Sequence, residues 1–409
     1  MGQNATEQKT TVAAVIAEYN PFHNGHALQL ERTRTLHGAT HIAAVMSGDF
    51  VQRGDCACIS KWQRTRMALA GGADLVLELP LPWCMAGAEG FAAGGTAIAE
   101  ALGCVDMLSF GSECGDIEQI QAAARLLADE SINAEILRIK NSEGITYAAA
   151  RVRALGGSDC AAVLETPNDT LGVEYCRALD GMGSAIRPVC VTREGAAHDS
   201  SEHSSDGSIA SGSRLREMLK EGGDISSAVP QCTAEIFSEA VEAGTAPASL
   251  KHIDRAMLYA LRTMDEARLR SLPDLSEGLE NRLQRYIASA ESFEQLCNMI
   301  KTKRYTHARI RRIVMSAVLG IDRDLCRDAQ GWRKPPYLRI LGMNSRGREI
   351  LACAKPTLPI VTRHADVERL DSFGQSIYRL NSKAADIFAL CTPKIGGCGS
   401  DASHGIIVV

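Results

Sequence analysis

Short apolar runs alternate with helical patterns along the first half of the chain. Runs of about six residues rich in Val, Ile, Leu and Ala are typical of buried parallel strands, whereas apolar residues three or four positions apart are typical of helices. The predicted strands cover residues 12–18, 41–47, 74–79, 107–110 and 186–191. The predicted helices cover residues 27–36, 61–70, 86–102, 116–127, 132–139, 171–179 and 215–220. This order predicts an α/β fold, a Rossmann-like doubly wound parallel sheet with helices on both faces.

The pattern changes after about residue 225. Glycines at 222–223 interrupt the helical pattern, and amphipathic helices such as residues 279–287 dominate beyond them. A chain of 409 residues is also long enough for two domains. We therefore predict four segments, a disordered tail (1–10), an α/β domain (11–225), a mainly helical C-terminal domain (226–394) and a flexible tail rich in Gly and Ser (395–409).

The composition excludes several classes of protein. Hydrophobic residues make up 45% of the chain and charged residues 23%, which is ordinary for a globular protein and unlike a disordered or collagen-like one. No apolar run approaches the roughly 20 residues that a membrane span needs, and the polar N-terminus has no apolar signal core. We therefore predict a cytoplasmic protein with no membrane contact. The fourteen cysteines contain no CxxC pair, which predicts packing thiols and no metal site.

Positive charge is concentrated in one part of an acidic chain. The net charge is −5, yet residues 301–350 contain thirteen Lys and Arg against four Asp and Glu. Residues 301–312, KTKRYTHARIRR, are predicted to form a helix that carries basic and aromatic side chains together. Such a surface suits an RNA backbone and unstacked bases, and the alternative is a solvated helix face. The candidate RNA-binding residues are Lys303, Arg304, Arg311 and Arg312.

Two histidines follow the first predicted strand directly. Residues 21–26 read PFHNGH, in which His23 and His26 flank Gly25 at the start of a helix. A helix N-terminus offers free N–H groups to an anion, and glycine permits close approach of a nucleotide. Imidazoles placed there can stabilise charge on an α-phosphate and a departing pyrophosphate. We therefore predict that His23 and His26 are catalytic residues of a nucleotidyl transfer, the alternative being two surface histidines near a turn.

A second segment of this kind opens a helix late in the same domain. Residues 209–216 read IASGSRLR, and Ser211, Ser213 and Arg216 are predicted to hold phosphates at that helix N-terminus. The alternative is an N-cap followed by solvated arginines. The long polar loop at residues 47–62 either roofs the same site or is a solvated connection.

Three single residues carry weaker signals. Gly111 ends the fourth predicted strand at the carboxyl edge of the sheet, where open α/β folds bind ligands, or it is a plain turn glycine. Asn168 is a candidate adenine or ribose contact or an N-cap. Arg193 follows the last predicted strand and is a candidate phosphate or ribose contact. All three are candidate nucleotide contacts.

Several runs of sequence together resemble one family. They are IAEYNPFHNGH (16–26), MSGDFVQRGD, KWQRTRMAL, GADLVLELP, SFGSE, KRYTHARIRR and PYLRILGMNSRGREIL. Over about residues 12–350 the chain resembles the bacterial tRNA(Met) cytidine acetate ligases of the H-x-G-H nucleotidylyltransferase superfamily. The resemblance implies a nucleotidylyltransferase-like ATP and acetate domain followed by a basic RNA-binding domain.

The resemblance also implies a reaction and a set of site residues. Such enzymes use ATP, with magnesium expected on its phosphates, to convert free acetate into acetyl-adenylate. The acetyl group then passes to N4 of the wobble cytidine of elongator tRNA(Met), which gives N4-acetylcytidine, AMP and pyrophosphate. The family's ATP-binding positions fall on Ile16, Ala17, Glu18, Tyr19, Asn20, Pro21, Phe22, His23, Asn24, Gly25, His26, Ala27, Leu28, Gln29, Gly111, Asn168, Arg193, Ser211, Ser213 and Arg216.

Two rival functions remain open from the sequence. A small-metabolite nucleotidylyltransferase would use the H-x-G-H motif but would have little use for a basic helical domain. A non-catalytic RNA-binding protein would use that basic domain but would tolerate loss of His23 and His26. The presence of both features in one chain favours the tRNA-modifying ligase.

Overall fold

A mostly parallel sheet organises the fold. The computed structural model describes residues 10–156, 158–193, 210–275, 278–328 and 331–409. The strands are β1 (Val12–Ala17), β2 (His41–Ser47), β3 (Phe50–Val51), β4 (Asp55–Cys56), β5 (Leu75–Leu79), β6 (Met107–Ser112), β7 (Arg187–Thr192), β8 (Arg327–Asp328), β9 (Gly331–Trp332), β10 (Leu338–Met343), β11 (Ile360–Val361) and β12 (Ile407–Val408). The main sheet has the order β11-β10-β5-β2-β1-β6-β7, with β12 paired to β10. Its neighbours are parallel except for β10 and β5, which confirms the predicted α/β class.

Helices cover both faces of this sheet. The helices are α1 (Asn24–His37), α2 (Lys61–Ala70), α3 (Ala88–Ala101), α4 (Ile117–Ala128), α5 (Glu130–Glu143), α6 (Tyr147–Ala154), α7 (Asp159–Val163), α8 (Pro167–Met182), α9 (Gly212–Lys220), α10 (Gln231–Glu242), α11 (Asp254–Arg262), α12 (Glu266–Arg270), α13 (Leu279–Ile287), α14 (Phe293–Ile300), α15 (His307–Leu319), α16 (Arg323–Cys326), α17 (Ser345–Cys353), α18 (Ser372–Phe388) and α19 (Ser400–Ser403). Successive residues of a strand point to opposite faces. Ile16 accordingly packs in one apolar cluster with Phe91 of α3, and Val15 packs in another with Leu30 of α1.

The position of β1 decides where a ligand can bind. Strand β1 pairs with β2 on one side and with β6 on the other, so the strand order reverses there. Open α/β sheets bind ligands at such a switch point, outside the carboxyl ends of the strands. The residues that follow β1, β6 and β7 therefore meet at one edge of the sheet.

The C-terminal helices form a layer that joins the sheet domain. Within it α11 packs against α15, α13 against α14, and α14 against α15. Apolar residues of these helices belong to the same cluster as Val12 of β1. Helix α15 also contacts β4 of the sheet domain. Among the described residues, no helix is long and apolar enough to cross a membrane.

Three expectations from the sequence differ from the structure. Strand β10, from the region predicted as mainly helical, completes the sheet beside β5. The tail predicted to be flexible contains β12, which pairs with β10, and Asp401, which is 1% exposed. The helix predicted over residues 301–312 begins at His307, because the Thr306 hydroxyl accepts a hydrogen bond from the Arg309 N–H and caps it there. The first two contacts join residues far apart in sequence, which local patterns do not reveal.

Candidate active site

A cleft lies at the switch point of the sheet. It encloses about 250 Å³ and is bordered by the residues after β1, the end of β6 and the N-terminal ends of α8 and α9. Fourteen of the residues expected from the sequence line it, namely Ile16, Ala17, Glu18, Tyr19, Asn20, His23, His26, Gln29, Gly111, Asn168, Arg193, Ser211, Ser213 and Arg216. The remaining expected positions, Pro21, Phe22, Asn24, Gly25, Ala27 and Leu28, belong to the same turn and helix but do not line the cleft. The sequence motifs therefore converge on one site.

The two histidines hold each other at the N-terminus of α1. His23 is the N-cap, and its Nδ1 accepts a hydrogen bond from the Gly25 N–H at 3.1 Å. The Nδ1 of His26 accepts one from the His23 N–H at 3.2 Å, and the two rings stack with centroids 3.7 Å apart. Because each Nδ1 is an acceptor, a neutral ring carries its proton on Nε2. Both imidazoles therefore keep one N–H donor that the helix cap does not use.

The charge state of both rings follows from their surroundings. Burial, with a smaller repulsion from Arg193 and Arg216, lowers the pKa of His23 to about 3. Burial also lowers the pKa of His26 well below its usual range, and His23 and the same two arginines add to the effect. Both rings are therefore neutral at physiological pH in the free protein. A neutral imidazole with a fixed tautomer is a preorganised hydrogen-bond donor toward an anion.

Buried polar contacts fix the turn that connects β1 to α1. Tyr19 has a positive φ of 48° and is fully buried, a strained backbone conformation for a bulky residue. The Asn20 side-chain oxygen accepts a hydrogen bond from the Cys58 N–H at 2.8 Å. The buried Arg64 guanidinium donates to the carbonyls of Glu18 at 2.7 Å and Ser47 at 2.9 Å, which ties the ends of β1 and β2 together. Sequence reasoning missed Arg64, because nothing in its local pattern marks it.

The second predicted phosphate segment faces the histidines. The Ser211 hydroxyl caps α9 by accepting from the Arg214 N–H, as the N-cap alternative expected. The Arg216 guanidinium donates to the Asn20 carbonyl at 2.9 Å and to the Ser213 hydroxyl at 3.2 Å. A Cβ atom placed on Gly212 would lie 3.7 Å from Nε2 of His23, so the start of α9 directly adjoins the His23 donor. Ile209, the first residue of the predicted segment, lies outside the described residues.

The three single-residue candidates also line the cleft. A Cβ on Gly111 would touch the Arg193 side chain at 3.5 Å, so these two residues lie together at the ends of β6 and β7. The Asn168 amide donates to the Glu113 carboxylate, which also accepts from the Asp169 N–H at 3.1 Å. Thr166 occupies the N-cap position of α8, so Asn168 is not that cap.

Several functional neighbours carried no recognisable sequence signal. The buried Asp169 carboxylate accepts from the backbone N–H groups of Glu113 and Cys114, each at 3.0 Å, and so shapes the loop after β6. Apolar side chains from α3, β6 and α8 form one wall of the cleft. They are Phe91, Phe110, Leu171 and Tyr175. These residues are ordinary core formers in sequence and meet only in the folded sheet.

The four candidate RNA-binding residues fall into two groups. Lys303 and Arg304 are exposed and precede α15. Arg311 forms ion pairs with Asp55 at 2.7 Å and Glu294 at 2.8 Å, and only 15% of its side chain is exposed. Arg312, equally shielded, lies 3.6 Å from Asp274. Arg311 and Arg312 therefore join parts of the protein to one another, whereas the side chains of Lys303 and Arg304 lie at the surface.

The folded arrangement and its cleft define a nucleotidyl transferase of the H-x-G-H class. A model of the HIGH nucleotidyl transferase family matches residues 10–399. The tRNA(Met) cytidine acetate ligase of Thermoanaerobacter sp. (strain X514) is 36% identical over 406 residues, which cover 97% of this chain and 99% of that protein. The ligase of the same name from Acetivibrio thermocellus is 34% identical over 415 residues, 97% of this chain and 100% of that protein.

Solved structures extend the same comparison. Thermotoga maritima TmcAL in its apo form I superposes with a TM-score of 0.91 at 31% identity and covers 98% of this chain and 100% of that one. The crystal structure of Thermotoga maritima TmcAL bound with alpha-thio ATP gives a TM-score of 0.89 at 31% identity, covering 98% and 99%. This chain belongs to the tRNA(Met) cytidine acetate ligase family.

Proposed function

We propose that this protein is an ATP-dependent tRNA-modifying ligase that activates acetate and acetylates N4 of the wobble cytidine of elongator tRNA(Met). The observation that carries the proposal is a single cleft in which two neutral imidazoles face Arg216 at the carboxyl edge of the sheet. The end-to-end match to ligases of that name supports it further. The rival assignment to a small-metabolite nucleotidylyltransferase gives no role to the C-terminal helices, which the family model also matches.

ATP would lie across the cleft with its two ends in different surroundings. Gly111, Asn168 and Arg193, at the ends of β6 and β7 and the start of α8, suit the nucleoside. The histidines and the start of α9 suit the phosphates, because helix N-termini and guanidinium groups are favourable anion partners. The N-terminal residues of α1 and α9 both line the cleft. An alpha-thio ATP complex of a solved relative supports ATP as the nucleotide.

The first chemical step is adenylation of acetate. A carboxylate oxygen of acetate attacks the α-phosphorus of ATP, and the bond from that phosphorus to the pyrophosphate oxygen breaks. Negative charge grows on the phosphate oxygens, where the Nε2–H groups of His23 and His26 donate hydrogen bonds. Because helix α1 already fixes both rings, little reorganisation is needed as the charge develops. The products of this step are acetyl-adenylate and pyrophosphate.

The second step transfers the acetyl group to RNA. N4 of the wobble cytidine attacks the acetyl carbonyl carbon, the bond from that carbon to the AMP oxygen breaks, and the nitrogen loses a proton. Lys303 and Arg304 offer exposed positive charge for the RNA backbone. Arg311 and Arg312 would support this surface from inside, since both are engaged in ion pairs. The chemistry belongs in the cytoplasm, where ATP and tRNA are available.

The residues that line the cleft also bear on how acetate and magnesium would bind. The apolar wall of Phe91, Phe110, Leu171 and Tyr175 offers a surface for a methyl group. The cleft carboxylates Glu18 and Glu113 already accept hydrogen bonds from protein N–H groups. Within the described residues no group of three or more His, Cys, Asp or Glu side chains could hold a metal. Magnesium would arrive on the ATP phosphates, because this ion is commonly bound through substrate phosphates.

The proposal is tested by following the acetyl group into RNA. Purified protein is incubated with ATP, isotopically labelled acetate and unmodified elongator tRNA(Met), and the digested nucleosides are analysed by mass spectrometry. We expect labelled N4-acetylcytidine, and none when the wobble cytidine is replaced by uridine. Acetylation that requires acetyl-CoA, or none with any combination of substrates, would refute the assignment.

A further inference from the structure

The hairpin formed by β3 and β4 reaches into the nucleotide cleft. Gln52 and Arg53 lie at its tip and line the cleft together with the start of α9. This hairpin belongs to neither the H-x-G-H motif nor the α9 segment. The backbone N–H of Gln52 donates to the Glu18 carboxylate at 3.0 Å, which fixes the tip beside the turn after β1.

Two guanidinium groups share one hydroxyl at the phosphate side of the cleft. Arg53 donates to the Ser213 hydroxyl at 3.3 Å, and Arg216 donates to the same oxygen at 3.2 Å. In the described part of the chain, neither arginine lies within 4.0 Å of a carboxylate. Like charges placed side by side repel unless an anion lies between them. The two guanidinium groups and the N-terminus of α9 together suit an anion.

The hairpin is held in this position by α15. Arg311 contacts Asp55 of the hairpin at 2.7 Å, and the Arg312 guanidinium reaches the Gln52 carbonyl at 3.5 Å. Gly54 has φ of +69°, and a Cβ there would lie 2.5 Å from the Arg312 backbone nitrogen. Only glycine permits this approach of the two backbones. The position of Arg53 is thus set by contacts with a helix from the opposite part of the chain.

We propose that Arg53 binds the β- and γ-phosphates of ATP together with Arg216, and that Arg311 is a positioning residue that acts on Arg53 through Asp55. The inference rests on the proposed function, because it assigns a further ligand in the same ATP site. The polyphosphate is favoured over acetate as the anion because the shared hydroxyl belongs to Ser213 in the first turn of α9, where multiply charged phosphates gain most. AMP lacks these phosphates and should not sense Arg53.

The first experiment compares ligands that carry two or more linked phosphates with one that carries a single phosphate. Calorimetric titration of the full-length protein with ATP, pyrophosphate and AMP is carried out for wild type and Arg53→Ala. We expect Arg53→Ala to weaken binding of ATP and pyrophosphate about 10- to 100-fold and to leave AMP affinity within about twofold, since a charge-assisted contact is lost. The matched control is Arg66→Ala, because Arg66 pairs with Glu239 and does not line the cleft.

The second experiment tests whether Arg311 acts through Arg53. We expect Arg311→Met to weaken ATP binding about 3- to 10-fold in the wild-type background and to have no further effect on it in the Arg53→Ala background. AMP affinity, which a general loss of structure would lower, should stay unchanged. Asp55→Asn should reproduce the same pattern from the other side of the ion pair.

The outcomes separate this inference from the proposed function. Unchanged pyrophosphate affinity in Arg53→Ala, or an equal loss of AMP affinity, would overturn the role of Arg53 while leaving acetate activation intact. Equal effects of Arg311→Met in both backgrounds would overturn the positioning role. Failure of the wild-type protein to bind ATP would overturn the proposed function together with this inference.

Discussion

The nucleotide cleft and a buried ionic cluster beside β5 and β10 differ in whether carboxylates contact their cationic side chains. In the cleft, Arg53 and Arg216 share a hydroxyl and have no carboxylate partner within the described residues. In the buried cluster, which comprises Lys61, Glu78, Arg339 and Asp401, each cation contacts carboxylates. Lys61 lies 2.8 Å from Glu78 and 2.6 Å from Asp401, and Arg339 lies 2.7 Å from Asp401.

The difference separates charges placed for a ligand from charges placed for the fold. The four side chains of the buried cluster are at most 5% exposed, so their charges must compensate one another. They tie Asp401 of the C-terminal segment to α2 and the sheet. The cleft arginines leave compensation to an incoming anion. Changes in the buried cluster should therefore affect stability, and changes in the cleft should affect ligand binding and rate.

The largest effect is expected from opening the buried cluster. Lys61→Met leaves Glu78 and Asp401 with less positive charge in a buried site, which should lower the free energy of unfolding by about 3–5 kcal/mol. Urea unfolding measures this loss. Lys251→Met, a change at an exposed lysine, should stay within about 0.5 kcal/mol of wild type. If Lys61→Met proved equally mild, the cluster would not be what secures the C-terminal segment.

A change in the cleft should lower the reaction rate much more than the stability. His26→Ala removes a donor to the reacting phosphate and should slow acetate-dependent ATP–pyrophosphate exchange by about 100- to 1,000-fold. The loss of a cap contact should cost only about 1 kcal/mol of stability. His37→Ala, on the same helix but outside the cleft, is the control and should keep wild-type exchange. Wild-type exchange in His26→Ala would remove the nucleotidyl-transfer role from this residue.

The protonation of the cleft histidines offers a test without substrates. Because the pKa of His23 is lowered to about 3 and that of His26 well below its usual range, neither ring should titrate between about pH 5.5 and 8 by NMR. The unfolded chain takes up these protons below about pH 6.5. Acidification from there should therefore favour unfolding, since the folded protein binds fewer protons. A midpoint near 6.5 for either ring would contradict the neutral-donor assignment.

The smallest effects are expected on the RNA surface. Lys303→Ser and Arg304→Ser should each reduce the slope of log affinity for tRNA against log salt by about one unit or less, as expected for loss of one phosphate contact. Filter-binding titrations at several salt concentrations measure the slope. Arg255→Ser, at another exposed arginine of the helical region, should leave the slope unchanged. If Lys303→Ser and Arg304→Ser both kept the wild-type slope, the RNA would bind to a different surface.

Local patterns in the sequence predicted the strands β1, β2, β5, β6 and β7 of the sheet and the phosphate-binding motifs. The predicted bounds of β2 and α2 match the structure, and the predicted positions His23, His26, Ser213 and Arg216 meet in one cleft. These elements are readable because a buried strand, a helix cap and a glycine-containing turn each leave a signature within a few residues.

Contacts between distant segments were not predictable in this way. Asp401 reads as part of a polar, glycine-rich tail, yet it is buried against Lys61 more than 300 positions earlier. Arg311 reads as a basic residue available to RNA, but Asp55 and Glu294 already neutralise it. Arg53 lies in one of the runs that resemble the family, but only the folded hairpin brings it to Ser213. Pairings of this kind depend on the tertiary fold rather than on spacing.

The most direct test of acetate activation in the cleft is ATP–pyrophosphate exchange by the purified wild-type protein, measured with and without acetate and with and without unmodified elongator tRNA(Met). We expect exchange that depends on acetate, because pyrophosphate can re-form ATP only from an acetyl-adenylate. Exchange that appears only when tRNA is added would still require acetate and would indicate that RNA completes the site. No acetate-dependent exchange under either condition would contradict the ligase assignment.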